Sequence, residues 1–244
     1  MFDKSILSVY FVVGTQDCTH RDEPTPQQRL LAVLKSALDA GITCYQFREK
    51  DDNALTCPDE IKQLAQDCQA LCRQYGVPFV INNDVHLCLD IGADGVHMGQ
   101  TDMDIFDVAR LCRGRAFVGL SHSSLDEIRV SVGHDLADYL AIGAVFDTCS
   151  KADAGRAVGV DMVGQVRAMI GNRPLVAIGG IDTTNASLVR ANGADGVCGV
   201  CVGDCPCGRY GGGGRGVKRG VINRMAFVIA NWGVLLYDKI SILT

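Results

Sequence analysis

The chain has 244 residues, 48% of them hydrophobic, and a formal net charge of −5. That length supports one large core, so a single domain is the default. The amino terminus MFDKSILSVYFVVG lacks an apolar run with a small-residue cleavage site, and the late apolar stretch 225–237 is too short to span a bilayer, which together argue against a secretory signal and a membrane span.

A cytoplasmic location follows as the expectation, with most of the 12 cysteines reduced and serving as small apolar residues. The acidic total conceals an asymmetry. Through Val200 the chain carries 17 Lys plus Arg against 26 Asp plus Glu; from Cys201 onward it carries 6 against 2. No aromatic interleaving or recognisable motif accompanies the basic tail, so nucleic acid is not an expected partner.

Short apolar runs alternate with helix-length amphipathic stretches along the first 200 residues. The spacing predicts strands at 8–13, 44–48, 79–82, 95–98, 116–120, 139–142, 175–178 and 196–200. Between them it predicts a first helix capped by Thr25, with Pro26 at its first position, Leu30, Leu31, Leu34, Ala37 and Leu38 on one face, and Gly41 as its stop. Further helices are predicted near 58–75, 84–91, 103–112, 124–132, 161–170 and 183–191. The eighth helix is missing. An internal echo, GADGVHMG at 92–99 and GADGVCGV at 193–200, agrees with eight repeated units. A (β/α)8 TIM barrel is the best single fold, and a doubly wound open sheet is its rival.

In such a barrel the site is built at the carboxyl ends of the strands. Alternation after strand two sends Gln46, Arg48 and Lys50 to one side, although Arg48 and Lys50 could equally be a solvated charge group with Glu49. Asn82, Asn83 and Asp84 follow strand three, Asp102 follows strand four, and Ser121 and His122 end strand five. Asn83, Asp84 and Asp102 also have an ordinary reading as helix caps. After strand six, Thr148, Ser150 and Lys151 lie in a hydroxyl-rich loop long enough to act as a lid, and after strand seven Gly179 and Gly180 allow backbone amides close to an anion. The inventory suits a diphosphate held with Mg²⁺ opposite a monophosphate, with Asp102 as the firm metal ligand.

In this order and at these spacings, YQFREK, INND, GADGVHMGQTD, TCSKADA and VAIGGI resemble the thiamine phosphate synthase family over residues 8–200. The resemblance implies a (β/α)8 barrel that couples hydroxymethylpyrimidine diphosphate to thiazole phosphate with Mg²⁺. It implies that Gln46, Arg48, Lys50, Asn82, Ser121 and Lys151 bind the pyrimidine diphosphate, with Arg48, Lys50 and Lys151 carrying the chemistry. It assigns Thr148, Ser150 and Gly180 to the thiazole phosphate and Asp102 to Mg²⁺. Asn83 stands where the family has a metal-binding Asp, and His122 follows Ser121 directly where the family histidine comes one residue later.

Residues 1–200 are thus the expected barrel domain and residues 201–244 an atypical tail, partly disordered. Where the family has a Ser-Ala-Ile strand end and a closing helix, this chain turns to Cys, Gly and Arg. Codons for Cys201 to Gly208 can be chosen that, read one base later, give Val-Ser-Ala-Ile-Ala-Arg-Ala-Val. We therefore read a frame slip near 198–202. The rival is a zinc site from Cys198, Cys201, Cys205 and Cys207, of which only Cys198-x-x-Cys201 has metal-like spacing. Loss of the last helix would bare the apolar faces of strands one and eight and promote association into a homo-oligomer. Two other functions are open to the same residues: a non-catalytic binder of phosphate ligands, or a thiazole tautomerase, which needs no diphosphate clamp.

Overall fold

Alternation along β1 (Val9–Val13) divides its side chains between two cores. In the computed structural model, which describes residues 2–18, 25–148 and 156–200, Tyr10 and Val12 point into the barrel with Leu7, Cys44, Val80, Tyr139, Ala141, Val176 and Cys198. Phe11 and Val13 point outward into the larger core that the helices cover. Eight parallel strands follow one another around the barrel: β1, β2 (Cys44–Phe47), β3 (Phe79–Asn82), β4 (Gly95–Met98), β5 (Phe117–His122), β6 (Tyr139–Ile142), β7 (Leu175–Ile178) and β8 (Gly196–Val200). The ring closes where Tyr10 of β1 lies opposite Cys198 of β8. The TIM barrel is confirmed and the open sheet excluded.

The outer helices among the described residues are α1 (Pro26–Asp39), α2 (Pro58–Tyr75), α3 (Val85–Ile91), α4 (Ile105–Cys112), α5 (Leu125–Val132), α6 (Val160–Ile170) and α7 (Ala186–Ala191). Helix α1 forms as the sequence predicts. Thr25 Oγ1 accepts from Gln28 N at 3.3 Å, Gln28 Oε1 accepts from Thr25 N at 3.1 Å, and Pro26 opens the first turn. Leu30, Leu34, Ala37 and Leu38 are buried against the sheet, while Leu31 is only partly covered. Truncating Leu34 to Ala would cost about 2–5 kcal/mol.

The sequence echo has a structural cause at the amino-terminal end of the barrel. Asp94 accepts from Phe79 N at 2.8 Å, and Asp195 accepts from Leu175 N at 3.0 Å. Each aspartate thereby captures the first N–H of the strand before its own. Asp138, in the related Ala-Asp-Tyr segment, accepts in a similar way from Val118 N, the second N–H of its preceding strand, at 2.8 Å. The glycine after Asp94 or Asp195 leaves room, since a Cβ at Gly95 would strike the Phe117 ring and one at Gly196 the Leu7 carbonyl.

Two helices start two or more residues later than predicted. Asp104 caps α4, its Oδ1 accepting from Phe106 N at 2.9 Å, which leaves Asp102 out of the helix. Before α7, Asp182 and Asn185 close a turn of their own: Asp182 Oδ1 accepts from Thr184 N at 2.8 Å, and Asn185 Oδ1 accepts from Asp182 N at 2.9 Å. No disulfide joins the described cysteines, and Cys44, Cys68, Cys72, Cys88, Cys112 and Cys198 are buried. No helix of the described residues is long and apolar enough to cross a membrane. Residues 201–244, with Cys201, Cys205, Cys207 and the proposed frame slip, lie outside the described residues. Cys198 itself faces the barrel interior, where burial pushes its thiol well above the usual range.

Candidate active site

The carboxyl ends of β2 to β5 place most of the sequence-predicted residues on one rim. Gln46 points into the barrel and is buried, and its Nε2 donates to Tyr10 OH at 3.0 Å. Arg48 follows at the strand end with its guanidinium 2.6 Å from Asp51 and its side chain only 12% exposed. Lys50 is exposed. The alternative grouping of Glu49 with these cations is not what forms. Glu49 turns the other way and accepts from Thr15 N at 2.7 Å, Thr15 Oγ1 at 2.6 Å and Leu55 N at 3.0 Å. Gln16 adds a second tie, donating to the Arg48 carbonyl at 2.7 Å. The segment carrying Arg48 and Lys50 is therefore stapled to the end of β1 by groups that leave both cations free of Glu49.

Asn82 ends β3 opposite His97 of β4. Asn83 has φ +65°, a left-handed conformation that Asn tolerates better than most residues, and its Nδ2 donates to Asp102 Oδ1 at 2.8 Å. Asp102 Oδ2 accepts from Gly99 N at 2.6 Å. The two expected metal ligands are thus adjacent. Asp84 is diverted, since it caps α3 by accepting from Leu87 N at 2.8 Å. One carboxylate and one amide oxygen fit Mg²⁺ at the sparse end of its usual range, where substrate oxygens and waters complete the shell. Among the described residues no group of three or more His, Cys, Asp or Glu could hold a metal by itself.

Ser121 stands on β5, its Oγ 2.7 Å from His97 Nε2, and its carbonyl accepts from Gln100 Nε2 at 2.6 Å. His122 does not serve the rim. It points outward, with Nε2 2.7 Å from Ser131 Oγ and Nδ1 3.2 Å from the Ala141 carbonyl, and burial lowers its pKa. After β7, Gly179 and Gly180 adopt φ +98° and +63°. A Cβ at Gly180 would lie 2.7 Å from the Asp147 carbonyl, so glycine lets this turn lie against the loop that carries Thr148. Asn185 Nδ2 holds the Gly180 carbonyl at 3.0 Å. Ser150 and Lys151 lie outside the described residues.

Sequence reasoning missed His97, Tyr10 and Tyr139. Tyr139 OH lies 2.8 Å from both Tyr10 OH and His97 Nδ1, so these three connect Gln46 to Ser121 through the barrel. Alternation puts Tyr10 on the face of Val12 and His97 on that of Gly95, but it carries no signal of the contacts that join them to Tyr139. Burial pushes both phenols well above their ordinary pKa, so each stays protonated. Two surface grooves, of about 440 Å³ between α1 and α2 and about 710 Å³ beside Phe2 and Pro174, lie away from this rim.

The rim offers cations for anionic oxygens and neutral donors for a polar ring, and among the described residues it holds no serine-histidine-acid set. Such a site favours stabilising a departing anion over covalent attack. The chain matches the thiamine monophosphate synthase family over residues 9–201. The thiamine-phosphate synthase of Pasteurella multocida is 51% identical over 193 residues, covering 79% of this chain and 87% of that protein. That of Histophilus somni is 46% identical over 191 residues, covering 78% and 86%. A solved thiamine phosphate pyrophosphorylase from Pyrococcus furiosus shares the fold at a TM-score of 0.71 and 24% identity, covering 93% of this chain and 98% of that one. With the family matched across the whole barrel and these relatives close in sequence, the chain is a member of the thiamine-phosphate synthase family of transferases.

Proposed function

We propose that the chain joins hydroxymethylpyrimidine diphosphate to thiazole phosphate, releasing diphosphate and thiamine phosphate, in a Mg²⁺-dependent substitution. The observation that carries this reading is the row Gln46, Arg48 and Lys50 leaving β2 on the same rim as the Asn83–Asp102 pair. Family membership supports it. A cytoplasmic setting suits Cys44, Cys68, Cys72, Cys88, Cys112 and Cys198, which serve the core as small apolar side chains.

The chemistry needs little from the protein beyond placement and charge. The bond from the pyrimidine methylene carbon to the diphosphate oxygen breaks, and its electron pair leaves with the diphosphate. Arg48 and Lys50 offset the charge growing on the departing oxygens, as Lys151 would from the loop after β6. The thiazole nitrogen then gives its lone pair to the carbon, closing the new C–N bond without a proton transfer. Gln46, Asn82 and Ser121 orient the pyrimidine part, while Thr148, Ser150 and Gly180 hold the thiazole phosphate. Asp102 and the amide oxygen of Asn83 would hold Mg²⁺, which when bound supplies further neutralisation of the diphosphate.

Purified full-length protein given both substrates and Mg²⁺ should release diphosphate and form thiamine phosphate, and Arg48→Gln should lower kcat/KM by roughly 10²–10³-fold. Ligand binding without turnover would instead favour a non-catalytic phosphate-ligand binder, a reading that the amide at Asn83 keeps open.

A further inference from the structure

Five side chains form an unbroken line of hydrogen bonds through the barrel interior. Gln46 Nε2 meets Tyr10 OH at 3.0 Å, Tyr10 OH meets Tyr139 OH at 2.8 Å, Tyr139 OH meets His97 Nδ1 at 2.8 Å, and His97 Nε2 meets Ser121 Oγ at 2.7 Å. Gln46 and Ser121 at its ends are residues assigned above to the pyrimidine. The three between them lie below the rim and have no assigned role. Tyr10 and Tyr139 are almost fully buried, and His97 is nearly so.

The line has a direction because each phenol has one proton to place. Gln46 Nε2 can only donate, so Tyr10 oxygen accepts from it, and the Tyr10 proton points to the Tyr139 oxygen. Tyr139, already accepting from Tyr10, gives its own proton to His97 Nδ1. A neutral imidazole that accepts at Nδ1 carries its proton on Nε2. His97 then donates to Ser121 Oγ, and the Ser121 proton is left to point elsewhere. Gly119 is fitted to this arrangement, since a Cβ there would overlap the Tyr139 ring and come within 2.5 Å of His97 Nδ1.

We infer that Tyr10, Tyr139 and His97 are positioning residues that fix the Nε2–H tautomer of His97, and through it present Ser121 as a hydrogen-bond donor to an acceptor atom of the pyrimidine substrate. The identity of that acceptor rests on the reaction proposed above; the tautomer does not. Were the line to run in reverse, Ser121 would spend its proton on His97 and face the substrate as an acceptor only, a poor match to anionic oxygens or ring nitrogens. The direction thus decides which ligand atoms Ser121 can hold.

The test is the tautomer of His97 in the full-length chain, read from ¹⁵N-histidine long-range correlation spectra, with His97→Gln used to assign the signal among the chain's five histidines. The wild type should show a protonated Nε2 and an accepting Nδ1. Tyr139→Phe should lose that signature and raise KM for the pyrimidine diphosphate about ten-fold, with a smaller change in kcat. Tyr10→Phe keeps the Tyr139 hydroxyl but removes the proton that directs it, so the Nε2–H share should fall part of the way, and an unchanged share would remove Tyr10 from the positioning residues. A wild-type spectrum with the proton on Nδ1 overturns the inference, as does a Tyr139→Phe protein with unchanged tautomer and KM. If Tyr139→Phe does not fold, the wild-type spectrum decides alone. A wild type that shows the Nε2–H tautomer yet forms no thiamine phosphate would sink the proposed reaction and leave the hydrogen-bond direction standing.

Discussion

Asn83 donates to Asp102 across 2.8 Å, joining the loops after β3 and β4 with no charge contributed by the first partner. Two carboxylates at that distance would repel unless a cation lay between them. Asn83→Asp is compatible with the backbone, because Asp like Asn tolerates a left-handed φ. The variant should lose thermal stability in chelator, recover it as Mg²⁺ is added, and reach half-maximal activity at a lower Mg²⁺ concentration than the wild type. Thermal melts with and without Mg²⁺ provide the check independently of turnover. Equal Mg²⁺ responses in the two proteins would remove Asn83 from the metal's surroundings.

Glu49 is the staple under the cationic loop. Its carboxylate receives three hydrogen bonds, two of them from Thr15, which is fully buried. Glu49→Ala strands those donors and should cost about 2–4 kcal/mol of stability. Because Arg48 and Lys50 flank it, the same variant should raise KM for the pyrimidine diphosphate more than it lowers the melting temperature of the ligand-free protein would explain. Titrating substrate at a temperature where the variant is fully folded separates the two effects. An unchanged KM there would make Glu49 structural only.

These residues show what the chain reveals by pattern and what it hides. The eight strands were legible because each is a short apolar run between helix-length segments, and because strand-end residues such as Gln46, Asn82 and Ser121 interrupt an otherwise apolar face. Glu49 was not legible, since its partner Thr15 lies 34 residues away and only barrel closure brings them together. The same holds for Asp102, whose helix-capping reading failed once Asp104 took that place. Tyr10 and Tyr139 read as ordinary core aromatics, and 129 residues separate two hydroxyls that meet at 2.8 Å. Local periodicity fixes which face a side chain takes; the partner it finds across a closed barrel depends on strand order and stagger.

His122 gives the structure a pH signature of its own. Burial holds its pKa below the ordinary histidine value, against smaller opposing contributions from the Ala141 carbonyl and Glu127. In the unfolded chain it titrates near its ordinary value of about 6.5. Below that pH the unfolded state binds the extra proton, so stability should fall as pH drops through about 6.5 and be level with respect to this group above it. Urea denaturation at pH 5.5 and 7.5 should therefore show a smaller difference for His122→Gln than for the wild type, by up to about 1.4 kcal/mol per pH unit. Identical differences would mean that His122 titrates in the fold as it does in the unfolded chain, with no lowering by burial.

Gly119 tests whether the barrel interior is built around the Tyr139–His97 pair or merely contains it. The glycine has no positive φ to require it, so the only obstacle to alanine is the space occupied by the Tyr139 ring and His97 Nδ1. Neither neighbour can yield freely, because Tyr139 is packed against Phe2, Tyr10 and Phe117 and is hydrogen-bonded at its hydroxyl on two sides. Gly119→Ala should thus destabilise the fold by about 1–3 kcal/mol through overpacking and lower activity beyond that loss by moving His97 off Ser121. The double variant Gly119→Ala with Tyr139→Leu makes room for the added methyl but leaves Tyr10 OH and His97 Nδ1 without their shared partner, so it should recover neither full stability nor activity. Recovery of both would show that Tyr139 serves the barrel by its volume alone.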